Sequence, residues 1–288
     1  MPSELSGALP KRSLTGAFSH RPADSPDAVR SGTRAGTVES PLRSLAEAEA
    51  LVRPALRQAV AELPDPERRV AEYHFGWADE PGTDGVASGG EGKALRSALV
   101  LGAARAVGGD VRCAVPGAVA VELVHNFSLL HDDVMDADRM RRHRSAAWVR
   151  FGIGAAVLAG DALQVLALQV LAGTGNPALT DVLIATMADL MRGQSDDLAF
   201  EARDGVTAAE YHSMAELKTG ALLGGACMLG ALLGGARHRD GRGSSAASDA
   251  TSAWRSSAPT TAWASGGDRT GRASPWGRTS PHARRRCR

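Results

Sequence analysis

The stretch Glu122 to Arg142, ELVHNFSLLHDDVMDADRMRR, constrains the fold more than any other segment of the chain. Leu123, Phe127, Leu130 and Val134 recur at helical spacing, which predicts a helix with one buried apolar face and one face loaded with ionisable groups. Positions four apart on a helix are neighbours at about 5–6 Å, so Asp132 and Asp136 present their oxygens to one point, with Asp133 on the adjacent flank. Carboxylates aimed together repel unless a cation lies between them. Magnesium suits such a cluster, because it takes few protein carboxylates and keeps its other positions for water and phosphate oxygens. Arg141 and Arg142 follow one or two turns on, where guanidinium forks can grip a diphosphate. An acidic patch beside a basic one is also what ordinary solvated surface charge looks like. Against that stand His125, seven residues before Asp132 and so on the same side of the helix, and a second cationic motif upstream.

At 288 residues and 43% hydrophobic content, the chain can bury one large core or two small ones. Aromatic residues make up 4%, while alanine, leucine and glycine abound; that mix suits close helix packing, so an all-α fold is expected. The net charge of +1 argues against strong attraction to nucleic acid. Cys113, Cys227 and Cys287 have no CxxC spacing, which supports neither a disulfide framework nor a zinc site and points to a reducing, cytoplasmic setting. No apolar run of the kind found in secretory leaders follows Met1.

Residues 1–40 are rich in Ser, Pro, Gly and Arg and are expected to form a disordered leader. From residue 41 the pattern changes: Leu45, Ala48, Leu51, Val52, Leu56 and Val60 keep helical spacing up to Pro64. The Gly- and Pro-rich stretch Pro81 to Gly92 reads as a loop whose end lets backbone amides and Lys93 approach a phosphate, with Arg96 one turn on. A capped helix start with ordinary surface cations would look the same in isolation. Phe151 to Gly173 reads as one helix whose apolar face is interrupted by Asp161, expected to be a buried acceptor for a cation. Pro177 to Phe200 reads as the next helix. Thr219 to Ala236 is uncharged over a length near the lower limit for crossing a bilayer of about 30 Å. Its many glycines and the flanking Lys218 favour a closely packed interior helix over a stable membrane span.

In this order and at these spacings the residues resemble the polyprenyl synthetase family, the trans-isoprenyl diphosphate synthases. Asp132, Asp133, Asp136, Arg141 and Arg142 resemble its first aspartate-rich motif, DDxxD with an arginine pair. Gly92, Lys93 and Arg96 resemble GKxxRP, His125 stands at the family's histidine, Gln194 and Asp197 match QxxDL, and Lys218 with Thr219 matches the KT pair. The resemblance runs from about Leu45 to Gly235 and departs at Ser97, where the family has proline, and at His143, where it has glycine. It implies an antiparallel helical bundle of the isoprenoid synthase type and a magnesium-dependent prenyltransferase that condenses isopentenyl diphosphate with an allylic prenyl diphosphate. Asp132, Asp133 and Asp136 would hold magnesium on the allylic diphosphate, helped by Arg141 and Lys218. Lys93, Arg96, His125 and Arg142 would bind isopentenyl diphosphate, and Gln194 and Thr219 would join the substrate-binding set. Phe127 and Ser128 stand where the family sets product length, and an aromatic residue there implies a short product, C15 to C20, as made by farnesyl and geranylgeranyl diphosphate synthases. The resemblance also implies a homodimer. A class I terpene cyclase shares the helical architecture but needs no second diphosphate site, and a non-catalytic subunit that partners an intact synthase is the alternative outside the enzymes.

From about Arg237 helical periodicity disappears, and residues 237–288 are expected to be a disordered tail. The family continues here with further helices and a second aspartate-rich motif. If each codon is rebuilt from the third base of one residue's codon and the first two bases of the next, Ser252 to Gly267 can encode GLAFQxxDDxLGIWG, and Arg272 to Arg288 can encode GKPVGADLTARKKTLP. Both strings resemble the family's missing segments in the right order. The expectation is therefore an out-of-frame tail beginning between Gly235 and Ser252, and impaired activity of the chain as written.

Overall fold

The structure is a computed structural model that describes residues 41–78, 94–203 and 205–236. The expected leader, the loop through Gly92 and Lys93, and the tail from residue 237 lie outside the described residues.

Helix α1 (Pro41–Ala61) buries Ala48, Val52, Leu56, Ala59 and Val60 along one stripe. Pro64 separates it from α2 (Asp65–Phe75), whose first turn carries Asp65 and Glu67, where carboxylates complement the helix dipole. Helix α3 (Leu95–Ala106) is followed by a 3₁₀ turn, Val111–Ala114, capped by the Asp110 side chain on Arg112 N. Helix α4 (Val115–Met135) starts with Pro116, which needs no hydrogen-bond partner in a first turn, and buries Val119, Leu123, Phe127 and Leu130. It is the central element, packed chiefly on α6 and also on α1, α3 and α9.

The helix ends sooner than its sequence suggests. Ala137 takes a φ of 52°, and Met140–Arg141 (β1) pairs antiparallel with Arg144–Ser145 (β2). The arginine pair thus sits on a small hairpin and not further along α4. Its two turn residues, Arg142 and His143, have φ of 51° and 64°, the backbone of a type I′ turn. The glycine the family places at 143 is the residue that adopts this conformation without strain.

After the hairpin come α5 (Ala147–Phe151), α6 (Ile153–Ala172) and α7 (Pro177–Glu201). The single helix expected over 151–173 is broken at Gly152, whose φ is 90°. Asp161 is also not buried: its side chain is 54% exposed and lies 3.6 Å from His131 Nε2. Helix α6 is apolar on nearly every side, so periodicity could not say which face turns outward. His131 near the end of α4 meets Val157 O near the start of α6 at 3.0 Å, consistent with antiparallel packing.

Helix α8 (Ala208–Ala215) starts with a capping box between Thr207 and Glu210. It runs through a π turn, Glu216–Gly220, into α9 (Ala221–Leu233). Helix α9 lies against α3 so tightly that a Cβ on Gly230 would come within 2.1 Å of Val100 O. Among the described residues, and by length and composition alone, three helical segments, Val111–Met135, Ile153–Ala172 and Ala208–Leu233, are long and apolar enough to cross a membrane. The fold is all-α as expected, with one large core shared by α1 through α9 except α8.

Candidate active site

The C-terminal turn of α4 divides its carboxylates between two partners. Asp133 is buried and takes a forked grip from Arg141, whose Nε lies 3.0 and 3.1 Å from the two carboxylate oxygens and whose Nη2 also meets Oδ1. Burial pushes the Asp133 carboxyl up even though Arg141 pulls it down. Burial opposes the Arg141 charge as well, and Asp133 outweighs it, so the guanidinium is held above its ordinary range. Asp133, which the sequence placed with the metal ligands, is paired here with Arg141.

Asp132 and Asp136 face a different set of side chains. Lys218, carried by the π turn, places Nζ 3.3 Å from Asp132 Oδ1 and 2.6 Å from Asp197 Oδ2 on α7. Burial and then Asp132 raise the Asp136 carboxyl to about 6, Lys218 pulls it back, and Glu201 and Asp197 add to the crowding. The approach of the π turn to α7 depends on Gly193, where a Cβ would come within 2.2 Å of Lys218 N. Next to it, Gln194 Nε2 reaches Met135 Sδ at 3.8 Å. Thr219 shares the π turn with Lys218. The acceptors around Lys218 are carboxylate oxygens, the donor type hard divalent cations take, and its ammonium already lies between two of them. Asp132 and Asp136 fit such an ion, although among the described residues no three His, Cys, Asp or Glu side chains converge closely enough to complete a metal site.

Two turns earlier along α4, His125, His74 and three arginines form a second charged region. His125 is held well below its ordinary range, first by burial and then by Arg96, Arg142, His74 and Arg141. His74 on α2 is lowered to about 3 by burial, then Arg142 and Arg141. Asn126 lies beside it, yet His74 Nε2 and Asn126 Oδ1 are both buried without a partner at hydrogen-bond geometry among the described residues, as is Arg96 Nε. Burial lowers the Arg96 guanidinium and Glu122 raises it. Glu122 also accepts from Ser97 Oγ at 2.7 Å, a contact that the family's proline could not make. A small pocket of about 20 Å³ lies here, lined by Tyr73, His74, Arg141, Arg142, Arg144 and Ser145.

The hairpin that carries Arg141 and Arg142 is fastened to α2. Arg144 stacks over the Tyr73 ring at 4.4 Å and donates to Ala78 O at 2.8 Å, while Tyr73 Oη donates to Ser145 O at 2.9 Å. Trp148 Nε1 closes the base on Asp138 O at 2.7 Å. Of the residues read from the sequence, Asp132, Asp136 and Lys218 come together, with Thr219 next to Lys218 and Gln194 next to Gly193, the residue that Lys218 N approaches. Arg96, His125 and Arg142 gather two turns earlier along α4, Arg141 pairs with Asp133 within electrostatic reach of both groups, and Lys93 lies outside the described residues. His74, Asn126 and Arg144 were missed. The apolar run around YHFGW marks a buried histidine, but nothing local says which helix it meets.

Residues 79–249 match the family described as polyprenyl synthetase. A (2E,6E)-farnesyl diphosphate synthase from Mycobacterium tuberculosis is 48% identical over 193 residues, covering 66% of this chain and 53% of the relative. A geranylgeranyl diphosphate synthase from the same species is 44% identical over 192 residues, covering 64% and 53%. The crystal structure of a polyprenyl synthetase from Streptomyces coelicolor superposes with a TM-score of 0.65 at 46% identity, covering 68% of this chain and 59% of that one. The chain thus spans about half the length of the curated relatives it matches.

Proposed function

The chain belongs to the polyprenyl synthetase family, and from that premise we propose that it supplies the two diphosphate-binding flanks of a prenyltransferase joining isopentenyl diphosphate to an allylic diphosphate. The observation that carries this reading is the division of α4 along its length: Asp132 and Asp136 face Lys218 near its end, while His125, two turns earlier, lies among Arg96 and Arg142. In this reading Asp132 and Asp136 hold magnesium, which when bound supplies the positive charge that stabilises a departing pyrophosphate. Lys218 and Arg141 bind the allylic diphosphate, with Asp133 fixing the angle of the Arg141 fork. Arg96, His125 and Arg142 seat isopentenyl diphosphate, and His125 and His74 stay uncharged, so they add hydrogen-bonding capacity without repelling the arginines. Apolar walls along α4 exclude water from a carbocation, and buried Phe127 in that wall supports a short product. The names of the farnesyl and geranylgeranyl diphosphate synthases support the same length. The second cationic flank argues against a terpene cyclase.

A second copy of the chain is the proposed partner, supported by Leu158 and Val165, more than half exposed one above the other on α6. The unpaired thiols of Cys113 and Cys227 support a reducing, cytoplasmic setting. Residues 237–288 carry no second aspartate-rich motif, so the chain as written is proposed to bind both diphosphates and turn them over poorly.

Purified protein incubated with magnesium, isopentenyl diphosphate and an allylic diphosphate tests this. The expected result is magnesium-dependent binding of each diphosphate by calorimetry with little elongation. Robust elongation refutes the impairment, cyclic hydrocarbon from a single diphosphate favours a cyclase, and no binding of either diphosphate removes the reading altogether.

A further inference from the structure

Lys218 stands where the proposed function puts a divalent cation. Its ammonium lies between Asp197 Oδ2 at 2.6 Å and Asp132 Oδ1 at 3.3 Å and so bridges α7 to α4. Asp136 adds its charge to the carboxylates around it, and Glu201 lies in turn near Asp136. Only 25% of the lysine side chain is exposed, and Gly193 lets its backbone press directly against α7, so the lysine cannot withdraw by moving its main chain. One carboxylate cannot serve a buried ammonium and a divalent ion at contact distance without strong repulsion between the two cations.

We propose that in the metal-free protein the Lys218 ammonium is the counter-ion of Asp132, that a divalent cation taken up by Asp132 and Asp136 displaces it, and that Asp197 is the positioning residue that retains it. This rests on the reading of Asp132 and Asp136 as metal ligands. The two contact lengths favour the exchange: Lys218 gives up the longer one, to Asp132, and keeps the shorter one, to Asp197. Retained there, the ammonium stays beside the metal and within reach of a diphosphate bound to it. Removing the lysine therefore tightens metal binding, which is the opposite of what a residue acting only on substrate would do.

The test uses Mn²⁺ as the probe, titrated into the full chain and followed by the electron paramagnetic resonance signal of the free ion. Lys218→Met is expected to bind Mn²⁺ about tenfold more tightly than the unaltered chain, and Asp136→Asn to lose most binding. A second measurement needs no variant at the site. The chain has three lysines, Lys11, Lys93 and Lys218, so acetic anhydride labelling of Lys218 is readily assigned by mass spectrometry. Mn²⁺ is expected to speed that labelling severalfold, and Asp197→Asn to speed it without metal. If Mn²⁺ binds and Asp136→Asn abolishes binding, but Lys218→Met does not tighten it or labelling is unmoved by Mn²⁺, the exchange is wrong and the metal reading stands. If Asp136→Asn leaves Mn²⁺ binding unchanged, the metal reading fails and the exchange fails with it.

Discussion

Lowering the pH from 7 to 5 should remove about 2 kcal/mol of stability through His74 alone. The side chain is 6% exposed, its Nε2 has no partner among the described residues, and Arg142 and Arg141 add repulsion to the cost of burying a charge. Its folded value is therefore about 3 against an ordinary 6.5. Because the folded value is depressed, the unfolded chain takes up a proton below 6.5 that the folded chain refuses. Stability is then fully present above 6.5, is lost as pH falls, and keeps falling until about 3. At pH 5 nearly every unfolded molecule carries that proton, which gives the figure of about 2 kcal/mol, and the result hardly changes if the folded value is one unit higher. Other groups titrate in the same window, and His125 acts in the same direction. The comparison is therefore between the unaltered chain and His74→Leu, each unfolded in urea at pH 7 and pH 5 and followed by helical circular dichroism. The unaltered chain should lose about 2 kcal/mol more than the variant over that interval. A difference under about 0.5 kcal/mol would show that His74 is charged or solvated in the folded protein, and the account of the second flank would fall.

Arg141→Met should cost about 3–5 kcal/mol, because it strands the buried Asp133 carboxylate, and adding Asp133→Asn should recover most of the loss in the same urea assay. His143→Gly should raise stability by about 0.5–1 kcal/mol, seen as a higher melting temperature, by relieving the left-handed backbone of the hairpin turn. Gly230→Val should lower stability by more than about 2 kcal/mol, because its Cβ alone would overlap the Val100 carbonyl; an unchanged melting temperature would mean α3 and α9 are not so closely packed.

The core of the fold was legible because α1, α4 and α7 announce themselves by apolar spacing and by proline at or before their first turns. Where local signals were weak or overridden, reading failed. The end of α4 depends on left-handed Ala137, Arg142 and His143, none of which is a residue that advertises a turn, so the arginine pair was assigned to the helix. Gly152 did advertise a break, but the apolar runs on both sides concealed it. Asp161 was placed inside because a helix apolar on all sides gives no outward face to read. In the site, Asp132 and Asp136 are linked by local spacing and could be found. The bond from Lys218 to Asp197 joins residues on separate elements 21 positions apart and depends on a π turn with no sequence signature.

That π turn makes the site sensitive to chain length in a way its residues are not. One amino acid deleted from Glu216–Gly220 would let α8 and α9 merge into a regular α-helix, rotating α8 by about 100° relative to α9. The helix content and the glycine contacts of α9 with α3 would survive, while the face α8 now turns toward α7 would point elsewhere. A single in-frame codon loss there would keep the packing of α9 on α3 while changing how Lys218 meets Asp197 and Asp132.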